Sequence, residues 1–147
     1  MEVPDTLSFL LGSWHLERSY LDHHGGLSGT FAGTATVALE PGAGPGWASY
    51  HEQGRLCLGA HRGPAERRLQ VHDRQGAALL CFSDGRPYVD LDLRTGHWQA
   101  VHLCGPDRYQ ITTLVTAPGT LVELWRVTGP AKDYQARTQL TRIPEGP

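Results

Sequence analysis

The feature that most limits the fold of this chain is a long succession of short segments in which polar and apolar residues alternate, separated by turns rich in Gly and Pro. Alternation with a period of two is typical of strands that bury one face. No connection is long enough for a crossover helix, so consecutive strands pair as antiparallel hairpins. The sequence predicts nine or ten strands, over residues 14–21, 27–39, 47–58, 67–73, 77–83, 88–93, 98–104, 108–116, 121–127 and 134–142. A turn around Gly63 and Pro64 is expected between the third and the fourth of them.

A meander of this length is expected to close on itself, because unpaired edge strands invite aggregation. An up-and-down β-barrel is favoured over a Greek-key sandwich, which needs longer connections between its two sheets. Gly29 and Gly33 are predicted to let the second strand bend as a barrel corner requires. The 147 residues contain no internal repeat, and we expect a single all-β domain over residues 1–147.

The first residues indicate how one end of the barrel closes. Asp5 can cap a short helix over residues 5–11, whose apolar side would cover that end. Gly12 and Trp14 then open the first strand, and this Gly-x-Trp resembles the start of lipocalin-type (calycin) barrels. The resemblance implies that Trp14 packs at the closed end beneath a basic side chain of the last strand, Arg137 or Arg142.

Composition excludes several classes of function. The 13 basic and 15 acidic residues nearly balance, and no basic block interleaves with aromatics, so no nucleic-acid partner is predicted. Apolar residues never run for the roughly 18 positions of a membrane helix. Residues 1–5 lack the basic start of a signal peptide, and we expect a cytoplasmic protein. Three widely spaced cysteines argue against a disulfide framework.

Placing the more apolar face of each strand inward carries ionisable groups with it, namely Arg18, Glu52, His102 and Glu123. An unpaired charge inside a close-packed core is very costly. These groups therefore either pair in a structural network or surround a wet cavity that binds a polar ligand. The many Gly and Ala residues at inward positions leave room for such a cavity.

Three segments carry a second resemblance, Phe82–Tyr88, His102–Tyr109 and Trp125–Tyr134. They resemble an uncharacterised bacterial and fungal family of small lipocalin-like domains, over nearly the whole chain. That resemblance implies the barrel and leaves the function open. It directs attention to Arg86 and Lys132, which stand beside turns where a barrel rim would hold the polar end of a ligand.

The first functional hypothesis is a binding protein for a small, partly apolar molecule that is anionic or bears a carbonyl. Aromatic side chains would form the apolar wall, and charged side chains would hold the polar group. A homodimer is left open. The candidate ligand contacts are Arg18, Tyr50, Arg86, Tyr88, Trp98, Cys104, Glu123, Trp125, Lys132 and Tyr134.

The second hypothesis is a cofactor-independent enzyme on the same barrel, of the cyclase, isomerase or dehydratase type. His102 would be its general acid or base, with Glu52 or Glu123 as partner, and Tyr109 would donate to a carbonyl or an oxyanion. Cys104 lies two residues from His102, about 6–7 Å along a strand, which is loose for a nucleophile pair. A third hypothesis is a protein-interaction module with a filled interior.

No metal and no cofactor are predicted. The eight histidines show no metal-binding spacing. Leu10, Gly12 and Trp14 also resemble the opening of nitrobindin-like barrels, a resemblance that implies haem on a histidine near the C-terminus. This chain has no histidine after His102, which argues against haem.

Overall fold

A computed structural model describes residues 1–145 as one antiparallel sheet of ten strands with a short N-terminal helix. Each strand pairs with the next in the chain, apart from β6 and β7, and β1 also pairs with β10. A short 3-10 turn, Pro41–Ala43, interrupts the loop before β3. The elements are α1 Thr6–Leu10, β1 Gly12–Asp22, β2 Ser28–Leu39, β3 Trp47–Leu58, β4 His61–Arg74, β5 Ala77–Phe82, β6 Pro87–Leu91, β7 His97–Cys104, β8 Asp107–Ala117, β9 Thr120–Thr128 and β10 Asp133–Arg142.

The sheet curls into a nearly closed barrel. Strands β6 and β7 end the sheet on either side and lie next to each other, but no backbone pairing joins them within residues 1–145. Trp98 Nε1 donates to the Asp90 carbonyl at 2.9 Å across this gap, and Val89 packs against Ala100 and Ile111. We call this gap the β6–β7 seam. The predicted all-β up-and-down barrel with a short N-terminal helix is confirmed.

The bounds of the predicted strands agree with the structure to within two residues at nearly every end, and the start of β4 is the exception. The turn expected around Gly63 and Pro64 is wrong, because the chain reverses at Gly59, whose φ is +58°, and Ala60. Pro64 can lie within β4 because β5 pairs only with the later part of that strand, so its missing N–H costs no ladder bond.

Gly33 and Gly54 face each other on β2 and β3. A Cβ atom on Gly33 would lie 2.1 Å from the Gln53 carbonyl oxygen, and one on Gly54 would lie 2.2 Å from that of Ala32. Because no side chain fits at either position, these two strands approach each other more closely than side chains would allow.

The helix and Trp14 close one end of the barrel, as predicted. Asp5 Oδ2 accepts from the Ser8 N–H at 2.9 Å and caps α1. Trp14 is fully buried, and its Nε1 donates to the Leu10 carbonyl at 2.9 Å. The guanidinium of Arg142 lies 4.1 Å from the centre of the Trp14 ring, which confirms the expected basic partner from the last strand. No helix in residues 1–145 is long and apolar enough to span a membrane.

Candidate functional site

Four side chains form a hydrogen-bonded group across the barrel interior, and we call it the polar layer: Arg18, Tyr50, Glu52 and Arg67. Arg18 contacts the Glu52 carboxylate through both ends of its guanidinium, Nη1 to Oε1 at 2.9 Å and Nη2 to Oε2 at 2.7 Å. Arg67 Nη2 donates to the same Oε2 at 3.1 Å, and the Tyr50 hydroxyl donates to it as well. The layer therefore gathers two cations around one carboxylate.

The polar layer keeps Glu52 ionised. Burial by itself would raise the pKa of Glu52, but the charge of Arg67 and the paired donors of Arg18 and Tyr50 outweigh burial and lower that pKa to about 2. A carboxylate with four donors and such a pKa has no proton to exchange near neutrality. No hydrogen bond or ion pair in residues 1–145 links Glu52 to His102, its predicted catalytic partner.

Trp125 lies beside both arginines of the polar layer. Its ring centre is 5.3 Å from Cζ of Arg18 and 4.9 Å from Cζ of Arg67. Trp125 was predicted as part of an apolar wall for the ligand. In the structure its ring also forms cation–π contacts with the two guanidinium groups. Within the described residues, Trp125 Nε1 and Arg67 Nε are buried and have no hydrogen-bond partner.

A cavity separates the polar layer from α1 and reaches the β6–β7 seam. The space between its atoms amounts to about 610 Å³, a volume that includes the solvent at its mouth. Of this volume, about 50 Å³ is wide enough to hold the centre of a water molecule. A ring-shaped ligand would therefore need side chains at the seam to move. The lining residues are Leu10, Tyr50, Arg67, Leu69, Leu80, Tyr88, Val89, Asp90, Leu91, Trp98, Ala100, Ile111, Thr113, Leu121, Glu123 and Leu140.

Glu123 is a carboxyl group in the wall of this cavity without a charged partner. It lies between Thr113 and Thr138 in the cross-strand register. Within residues 1–145 it forms no ion pair, and the indole N–H of Trp125, whose geometry falls short of a regular hydrogen bond, lowers its pKa less than the nearby charges do. Burial raises the pKa of Glu123, and the positive charge of Arg67 offsets only part of that rise. The cavity thus combines apolar walls with an arginine and an uncompensated carboxyl.

His102 lies near the end of the barrel opposite α1, in a cluster of rings. Its imidazole centre is 5.8 Å from that of Phe82, 5.1 Å from Tyr88 and 5.9 Å from Tyr109. Tyr109 accepts a hydrogen bond from Lys132 Nζ at 2.9 Å. The structure therefore brings the predicted catalytic residues His102 and Tyr109 together, but it does not place them among the residues that line the cavity.

Four predicted ligand contacts, two of them expected at the rim, lie at the same end. Arg86 is exposed and pairs with Asp84 at 2.7 Å, Lys132 pairs with Asp107 at 3.0 Å, and Cys104 is an exposed thiol. Partly buried Tyr134 has its pKa raised to about 12 by burial and by the nearby Tyr109. None of these predicted ligand contacts lines the cavity.

Of the predicted ligand contacts, the cavity brings together Tyr50, Tyr88, Trp98 and Glu123. Arg18 and Trp125 lie behind it, in and beside the polar layer. Arg67 was not among the predicted ligand contacts, although it is the cation that reaches the cavity wall. The signal that could have found Arg67 is its position opposite Glu52 in the β3–β4 hairpin.

Solved structures with a similar fold cover nearly the whole chain. The S-type phycobiliprotein lyase CPES from Guillardia theta has a TM-score of 0.68 at 8% identity, covering 99% of this chain and 95% of the lyase. A fluorescence-activating β-barrel designed de novo has a TM-score of 0.50 at 14% identity, covering 96% of this chain and 100% of the design. At these identities the likeness concerns the fold alone.

Comparison by sequence gives one match and one negative result. Residues 10–142 match the profile of a family of unknown function, DUF6314. No curated protein matches the chain.

Proposed function

The chain belongs to this family of unknown function, and we propose that it binds a small, partly apolar molecule in the cavity beneath the polar layer, with an anionic or carbonyl group of that molecule at Arg67. The observation that carries the proposal is the combination of leucine-lined walls with an arginine whose hydrogen-bonding capacity is incompletely used. Ligand pockets are typically apolar with a few convergent polar groups.

Arg67 is the residue best suited to hold the polar group. One of its terminal nitrogens contacts Glu52, while its Nε is buried without a partner among the described residues. A buried donor without an acceptor is costly, so an oxygen supplied by a ligand would stabilise this arrangement. Arginine also stays protonated at any physiological pH and presents a planar set of donors that suits carboxylates.

The seam offers the ligand a path into the cavity. Residues of β6 and β7 form one side of the cavity, and Trp98 Nε1 bonds the Asp90 carbonyl across the gap. Separating two strands that share no backbone ladder disrupts far fewer hydrogen bonds than opening a paired wall. The same fold serves a phycobiliprotein lyase and a fluorescence-activating design, which is compatible with use of the barrel interior, but neither likeness identifies the ligand.

Two fluorescent probes with one aromatic body test the proposal. 1-Anilinonaphthalene-8-sulfonate carries a permanent anion, and N-phenyl-1-naphthylamine is its uncharged counterpart. We expect Arg67→Gln to weaken binding of the sulfonate about tenfold or more, since a hydrogen bond to a charged group contributes about 1.5–3 kcal/mol. Binding of the uncharged probe should change by less than about threefold. Fluorescence titration measures both dissociation constants.

Arg137→Gln is the matched control, because Arg137 is exposed on the outer face of β10, beside a surface groove. It should leave both dissociation constants unchanged. The proposal fails if Arg67→Gln weakens both probes equally, if only Arg137→Gln weakens the sulfonate, or if neither probe binds.

We also propose that the protein acts in the cytoplasm on a small molecule rather than on nucleic acid, in keeping with its nearly balanced charge. The enzyme hypothesis stays a prediction. It is supported only by the proximity of His102 and Tyr109, because neither Glu52 nor Glu123, the two predicted carboxyl partners, forms a hydrogen bond or an ion pair with His102 in residues 1–145.

A further inference from the structure

We propose that Glu123 is a neutral carboxylic acid in the folded protein and donates its hydrogen bond to an oxygen of the bound molecule. The site then accepts an anionic or carbonyl ligand only while Glu123 keeps its proton. This inference rests on the proposed function. It adds a second polar contact to the ligand and the protonation state of Glu123 that this contact requires.

The surroundings of Glu123 offer its carboxylate form little stabilisation. Its flanking residues across the strands are the threonines Thr113 and Thr138, and the cavity beside it is walled by leucines such as Leu121 and Leu140. Among the described residues the indole N–H of Trp125 acts on it only weakly, since its geometry falls short of a regular hydrogen bond. A buried carboxylate with so little donation is far more costly than the neutral acid.

The charged groups that face Glu123 from other strands pair with Glu52 and not with Glu123. Arg18 on β1 and Arg67 on β4 both donate to Glu52 on β3, and neither comes within ion-pair distance of Glu123 in residues 1–145. Tyr50 and Tyr88 also face it, and burial raises the pKa of Tyr50 well above the usual value and that of Tyr88 to about 12, so both are uncharged. Glu123 is left with burial as its dominant influence, which raises its pKa.

The charge of the interior follows from the proton on Glu123. Two arginines and the Glu52 carboxylate sum to one positive charge when Glu123 is neutral, and to zero when it is ionised. Loss of the proton therefore removes a hydrogen-bond donor and adds a negative charge beside the position proposed for the ligand anion. Affinity for an anion should fall as pH rises through the pKa of Glu123.

Titration of the two probes over the whole pH range in which the protein stays folded tests this. For the wild-type protein the affinity for 1-anilinonaphthalene-8-sulfonate should fall about tenfold or more over that range, whereas that for N-phenyl-1-naphthylamine should stay constant. Glu123→Gln keeps the shape and a donor without titrating, so its affinity for the sulfonate should be independent of pH and close to the acidic wild-type value. Glu17→Gln, an exposed change on β1, should behave as wild type. A pH dependence that survives in Glu123→Gln would assign the effect to another group and overturn the inference.

Infrared spectroscopy tests the proton without any ligand. The difference spectrum between wild type and Glu123→Gln near neutral pH should contain the carbonyl stretch of a protonated carboxyl. A carboxylate band in its place overturns the inference whether or not a probe binds. Sulfonate binding that depends on Arg67 but not on pH would overturn this inference and leave the proposed function intact, whereas failure of both probes to bind would overturn the proposed function.

Discussion

Replacing Arg18 by methionine is expected to lower the free energy of unfolding by about 3 kcal/mol, the lower end of the range for breaking a buried ion pair. The change removes both bonds that Arg18 makes to Glu52 and leaves that carboxylate 1% exposed. Arg67 and Tyr50 still donate to it, which keeps the effect from being larger. Urea unfolding near pH 7 measures the change.

A variant that removes all three charges of the polar layer separates the ion pairs from simple packing. Arg18→Met combined with Glu52→Gln and Arg67→Met should recover part of the lost stability, because no unpaired charge is then left in the interior. A loss below about 1 kcal/mol for Arg18→Met, or no recovery in the triple variant, would contradict this description of the polar layer.

The pH dependence of the same variant has a defined sign. The pKa of Glu52 is lowered in the folded protein, from 4.5 to about 2, so its contribution to stability is present above pH 4.5 and is lost as pH falls toward 2. Without Arg18 the carboxylate binds a proton more readily, which relieves the buried charge. The destabilisation by Arg18→Met should therefore shrink in acid.

Replacing Trp14 by alanine is expected to lower the free energy of unfolding by about 3–5 kcal/mol. Trp14 is fully buried at the closed end of the barrel, and the change removes its ring from contact with Arg142 and Phe9. It also leaves the Leu10 carbonyl without its indole donor.

Trp14→Phe is the matched control, because it keeps an aromatic face for Arg142 but loses the N–H. It should destabilise less than alanine does, by about 1–2 kcal/mol. Thermal and urea unfolding measure both variants. Equal effects of the two changes would show that stacking with Arg142 and filling of the closed end contribute little.

Period-two alternation was sufficient to predict which faces of the strands point inward. It placed Trp14, Arg18, Glu52 and Glu123 in the interior, because a strand with one buried face has a single register that buries its apolar side chains. The pairing of Arg18 with Glu52 could not be predicted, because β1 and β3 are not adjacent and their side chains meet only across the curled sheet.

Arg67 was not predicted as the partner of Glu52 because the turn between β3 and β4 was predicted at the wrong residues. A reversal at Gly59 and Ala60 sets Glu52 opposite Arg67, whereas a reversal at Gly63 and Pro64 would set Glu52 opposite Gln75. Gly-Pro is a strong turn signal, and only the absence of β5 beside that part of β4 lets Pro64 remain in the strand. The β6–β7 seam could not be predicted either, because the alternation of polar and apolar residues does not show which two adjacent strands fail to pair.

A crystal structure of the wild-type protein with 1-anilinonaphthalene-8-sulfonate tests the proposed binding cavity most directly. We expect the aromatic rings among the leucines beneath the polar layer, with the sulfonate within hydrogen-bonding distance of Arg67 and Glu123. A probe held instead in the outer groove beside Arg126 and Arg137, with the cavity unchanged, would contradict the proposal.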